Sequence, residues 1–242
     1  MARVAEPGAD DELTAATTAN RRRRLRSRVG RLHASHSYRP VLGLVAGTFV
    51  FALVASDAIW TTSVLLVLGS VMLVAAVWTS GIARATSRSL LAILGAATVA
   101  AVALGFTHHQ RLVGVAGIVS GLLVLGTIVA IVVGVIDQNE VNAHSITGAV
   151  CVYLLFGLLF MFLYSAVALI GSGDFFAQGT DGTRAIRVYF SYVTLATLGY
   201  GDYTPATQLG RTLAVLEALV GQLYLVTVLA LLVSRLRVRH DS

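Results

Sequence analysis

The residues of this chain best placed to do chemistry are the run Thr197-Leu198-Gly199-Tyr200-Gly201-Asp202. The run lies between two long apolar segments, directly after a short amphipathic piece. At membrane depth, backbone outside a helix is tolerated only where it is buried in protein or lines a cavity, because unpaired peptide groups are costly in hydrocarbon. A glycine-bearing stretch in that position offers its own carbonyl oxygens as working groups. No paired acid and base, activated nucleophile or metal-ligand spacing accompanies it, so an enzyme is not expected. Cys151 is the only cysteine and sits in an apolar run; it has no partner for an intrachain disulfide and reads as a small core residue.

The elements that must hold this run follow from composition. The chain is 56% hydrophobic and 12% charged, which belongs to an integral membrane protein. The expected fold is all-α and polytopic. Six apolar segments cover Val41–Trp60, Ser63–Trp78, Leu90–Phe106, Leu112–Ile136, Ile146–Ile170 and Leu213–Val233. Most reach the roughly 20 residues that cross a bilayer, and the second and third extend at their ends. Thr183–Ala196 is too short to cross and is expected to be a re-entrant helix leading into the polar run. The expected organisation is a polar segment over 1–38, a four-helix domain over 39–138, a second membrane domain over 144–236 and a tail over 237–242.

All 18 basic residues are arginine, and the formal charge of +6 is concentrated at the chain ends. That pattern speaks to topology rather than to nucleic acid. With the N-terminus cytoplasmic, Arg21–Arg39, Arg84, Arg88, Arg235, Arg237 and Arg239 lie inside, and only Arg111, Arg184, Arg187 and Arg211 lie outside. Both termini are then cytoplasmic, in the plasma membrane. The block Arg21–Arg31 is either a topology determinant or a contact for anionic lipid. The acidic residues near the start argue against a cleaved leader, and the first half of 1–38 is expected to be disordered.

Thr197–Asp202 resembles the selectivity filter of potassium channels, written Thr-Val-Gly-Tyr-Gly-Asp in that family, with Leu198 where valine is commoner. The resemblance covers about Ile146–Arg239. It implies potassium as the permeant ion, no cofactor, and coordination by the carbonyls of Thr197, Leu198, Gly199 and Tyr200 in place of water. There is one such run and no internal repeat, so a pore of four loops implies a homotetramer. Successive carbonyls point one way only if the backbone alternates in handedness, which Gly199 and Gly201 permit cheaply. Four copies of Asp202 would form an anionic ring at the mouth.

By the same resemblance, Tyr189, Phe190 and Tyr192 would brace Tyr200, or simply pack. Tryptophan often stands at the place of Tyr189 and bonds the filter aspartate; here a tyrosine hydroxyl would serve Asp202. Gly221 stands where the family has its inner-helix hinge, and close helix packing is the other reading. Gln222, Leu225, Leu229 and Val233 share one helical face and would line the inner cavity, with Leu229 and Val233 as gate candidates. Glu217, a carboxylate inside a membrane helix, needs a partner. Thr or Tyr groups behind the pore helix would supply one; protonation is the alternative.

Leu112–Ile136 occupies the place of a voltage-sensor helix but contains no arginine. Each charge moved across the membrane is worth roughly 2.3 kcal/mol per 100 mV, so a chargeless helix implies weak voltage dependence or none. Asp57, His108 and His109 fall at helix ends, as solvated loop residues or an external pH sensor. With nine residues after Val233, no C-terminal ligand-binding module is expected. A potassium transporter subunit and a non-conducting structural or regulatory membrane protein are the rival readings.

Overall fold

The computed structural model describes residues 38–80, 95, 99, 110–136 and 143–238. The basic block Arg21–Arg31, nearly all of the expected segment Leu90–Phe106, and His108 and His109 lie outside the described residues. Six helices are described: α1 (Arg39–Val54), α2 (Ile59–Ser80), α3 (Gln110–Ile136), α4 (Ala143–Ile170), α5 (Arg184–Leu195) and α6 (Gln208–Val238). Among the described residues there is no strand, only isolated bridges from Phe176 to Thr180 and Pro205. The protein is all-α, and α2, α3, α4 and α6 each contain a stretch long and apolar enough to cross a membrane.

One expected boundary moves. The apolar run Val41–Trp60 is not one helix. Helix α1 stops at Val54, Ala55 is extended (φ −69°, ψ 135°), and α2 begins at Ile59. Apolar residues continue on both sides of the turn, so the break leaves little trace in hydropathy. At about 1.5 Å per residue the 16 residues of α1 reach about 24 Å, short of the roughly 30 Å hydrocarbon core.

The described residues from Tyr38 onward form one compact unit, so the first helices and the later membrane helices pack together rather than as separate bodies. Helix α3 packs on α4, and glycines allow the approach: a Cβ at Gly114 would come within 2.7 Å of Ile170 Cγ1. Helix α1 lies against α2, α4 and α5. Its Val41 and Val45 join Leu155, Leu158 and Val188 in the main core. A second cluster of Tyr164, Phe175, Phe176 and Phe190 fills the space between α4, α5 and the loop that joins them.

Helix α6 stands apart. Only 11% of its apolar window is buried, against 50% in α3 and α4, so most of its surface has no cover within one chain. Leu216, Leu219 and Leu223 are among the exposed residues.

Candidate functional site

Helix α5 is the strut on which the polar run is mounted. It is 12 residues long, about 18 Å, which confines it to part of a membrane's thickness. At its start Thr183 is the N-cap, accepting from the Ile186 amide at 3.3 Å. A second cap comes from far away in sequence. Both carboxylate oxygens of Asp57, in the α1–α2 turn, accept from the Arg184 amide, at 3.0 and 3.2 Å.

The first turn of α5 carries two arginines, and both are buried. Arg184 donates from Nη1 to Thr61 Oγ1 at 2.7 Å and from Nη2 to Thr62 Oγ1 at 3.3 Å. Arg187 donates from Nε to Ser165 Oγ at 2.9 Å and from Nη1 to the carbonyls of Asp181 (3.0 Å) and Gly182 (2.7 Å). Burial lowers the pKa of both guanidinium groups, and Asp57 opposes that shift in each. These arginines fasten the start of α5 to α2, α4 and the loop before it.

At the far end the polar run folds back on α5. The amides of Ala196, Thr197 and Leu198 donate to the carbonyls of Tyr192 (3.0 Å), Thr194 (2.9 Å) and Val193 (2.9 Å), filling the acceptors a helix end leaves open. Thr197, Gly199 and Gly201 take positive φ of 57°, 54° and 78°. Every second residue is therefore left-handed, the alternation a column of aligned carbonyls demands. Gly199 and Gly201 were legible from sequence. Thr197 was not: it is the one non-glycine with positive φ among the described residues, and a β-branched residue is strained there. Leu198 and Tyr200 are exposed in a single chain.

The three aromatics expected around Tyr200 diverge. Tyr189 stacks on Tyr200 with centroids 6.5 Å apart and planes 15° from parallel. The nearby Asp202 side chain is the main reason its phenol's pKa is raised. Phe190 turns inward to Tyr164, 5.1 Å, and Phe176, 5.4 Å. Tyr192 points to the opposite side, edge-on to Phe49 of α1 at 4.6 Å, and donates to the Leu154 carbonyl at 2.6 Å. At about 100° per residue Phe190 is turned well away from Tyr189 and lies nearly opposite Tyr192, and of the three only Tyr189 touches the run's tyrosine.

Glu217 is fully buried and joins three helices. Tyr164 of α4 donates to Oε2 at 2.5 Å, and Ser191 of α5 reaches Oε1 at 2.5 Å while lying 2.7 Å from the Gly157 carbonyl. Tyr164 and Ser191 went unnoticed in the sequence because their partners lie far along the chain. So did Gln178, which donates from Nε2 to the Asp202 carbonyl at 2.8 Å from the loop before α5. Gly221 is buried where α6 crosses the end of α5; a Cβ there would lie 2.5 Å from the Leu195 carbonyl oxygen. Gln222 and Leu225 are exposed, and the side chains of Leu229 and Val233 lie outside the described residues.

This strut, folded-back run and crossing helix occupy the stretch that matches a known family. Residues 183–238 match the family model described as "Ion channel". Over this segment the chain is similar to ion channels. The chain is 32% identical over 103 residues to the inward rectifier potassium channel Kirbac3.1 of Paramagnetospirillum magnetotacticum, across 42% of this chain and 35% of that protein. It is 52% identical over 44 residues to probable potassium channel protein 2 of Methanocaldococcus jannaschii, across 18% of this chain and 12% of that one. The chain thus spans about a third of the first relative's length and about an eighth of the second's. No solved structure matches it.

Proposed function

We propose that this chain is one subunit of a homotetrameric, potassium-selective channel of the plasma membrane, passive and weakly or not voltage-dependent, with both termini cytoplasmic. The observation that carries the reading is the left-handed backbone at alternate positions, Thr197, Gly199 and Gly201. On that backbone the carbonyls of Thr197, Leu198, Gly199 and Tyr200 from four chains would replace the water around a potassium ion. The Thr197 hydroxyl would add an innermost ring, and Asp202 would concentrate cations at the mouth. The bare face of α6 supports assembly, since an apolar helix this open gains cover from other copies. Along it Gln222, Leu225, Leu229 and Val233 would line the inner cavity.

The curated relatives are named as potassium channels, which favours potassium over other cations. A potassium transporter subunit would need several such runs in one chain, and this sequence has one. A non-conducting structural protein would have no use for a strained Thr197. The test is a reversal-potential measurement on purified protein in vesicles under opposed potassium and sodium gradients. The expected reversal lies near the potassium equilibrium potential. Equal passage of sodium, or a monomer in native lipid, overturns the reading.

A further inference from the structure

Helix α5 has an unfavourable start. The positive end of its dipole carries two buried arginines, and its first turn contains no acid. A helix built this way needs a negative group from elsewhere. Asp57 supplies it, from a turn 127 residues earlier in the chain.

We propose that Asp57 is a positioning residue for conduction: from the α1–α2 turn it holds the N-terminus of α5 and thereby sets the helix whose other end carries Thr197. The inference rests on the channel reading above and gives the first helical hairpin a task in it. The grip has two points. Asp57 caps the Arg184 amide while Thr61 and Thr62 of α2 hold the same residue's guanidinium. Further along, Phe49 of α1 packs edge-on against Tyr192. Between them the strut is a short, fully hydrogen-bonded helix, stiff over its length. At its end the amides of Thr197 and Leu198 are tied directly to its last carbonyls. A tilt at Arg184 therefore reaches the carbonyl column with no flexible joint between.

The experiment compares wild-type protein with Asp57→Ala, Asp57→Asn and Asp57→Glu in vesicles. Oligomer size is checked first, then potassium flux and potassium-over-sodium preference. Loss of a charge-assisted cap should reduce the preference of Asp57→Ala by about tenfold or more in particles of wild-type size. Asp57→Glu should recover most of it. A merely structural contact would lower yield or melting temperature and leave the preference of the surviving oligomers intact. If Asp57→Ala fails to assemble, Asp57→Asn, which keeps an acceptor oxygen, is read in the same way. Wild-type preference in the Ala or Asn variant overturns the inference alone. Absence of selective flux in the wild type overturns the channel reading and this inference with it.

Discussion

Tyr189 of α5 stacks on Tyr200, rings 15° from parallel, and the Asp202 side chain lies near enough to raise the pKa of its phenol. One residue of α5 thus faces two of the six residues in the proposed filter. Tyr189→Phe keeps the ring and removes the hydroxyl, so the stack should survive while the tie to Asp202 is lost. The expected outcome is retained potassium preference with faster decay of sustained flux. Tyr189→Ala also removes the ring pair and should reduce preference as well. Flux decay in vesicles distinguishes the two.

The same pair fixes a pH dependence. The phenol's pKa is raised, so the favourable interaction of Tyr189 with Asp202 is fully present below the ordinary tyrosine value of about 10 and is lost as pH rises through the raised value. Flux should be steady through this residue from neutral pH to about 10 and fall above it. Tyr189→Phe should abolish that alkaline limb. A fall beginning near neutral pH that vanishes in Tyr189→Phe would contradict the assignment.

Glu217 joins α4, α5 and α6 through Tyr164 and Ser191. Glu217→Ala leaves two buried hydroxyls without that partner and opens a cavity, at a cost of roughly 2–5 kcal/mol per subunit. Glu217→Gln keeps an acceptor for Tyr164 and a group able to bond Ser191, and should cost about 1 kcal/mol. Thermal dissociation of the oligomer in detergent measures both. Equal stability of the two variants would sink the prediction.

Gln178 fastens the loop before α5 to the Asp202 carbonyl, and its Oε1 also receives the Thr204 amide at 3.4 Å. Gln178→Ala should remove about 0.5–1.5 kcal/mol and leave the outer end of the proposed filter freer. Amide hydrogen exchange at Thr204 should accelerate, with little change at Thr197, which is tied to α5 instead. Unchanged exchange at Thr204 would show the clamp to be idle.

Gly221 meets the backbone oxygen of Leu195, which has no rotamer by which to move aside. Gly221→Ala should therefore cost about 1–3 kcal/mol through crowding alone. Lower oligomer stability with unchanged open probability would favour packing as the glycine's task. A changed open probability at unchanged stability would favour the hinge.

What the sequence made legible depended on how locally the chemistry is encoded. Thr197–Asp202 stood out because its proposed working groups are consecutive peptide units, and Gly199 and Gly201, lacking a Cβ, mark where the backbone turns left-handed. The helical character of α2, α3, α4 and α6 was equally plain from sustained apolar length. Asp57, Gln178, Tyr164 and Ser191 were not legible, because each acts on a residue distant in the chain and none has an unusual neighbourhood in sequence. Asp57 read as a solvated loop residue for that reason. The aromatics of α5 differ again: three in a four-residue window look like one cluster, but Tyr189 meets Tyr200, Phe190 meets Tyr164 and Phe176, and Tyr192 meets Phe49.

The close approach of Gly221 to Leu195 couples two events that are usually considered apart. Leu195 stands two positions before Thr197, so a bend of α6 at that glycine would press on the floor of the proposed ion path. A widening at the cytoplasmic end and a distortion of the dehydration site would then be one mechanical event, and permeation would remember how far the inner helices had swung.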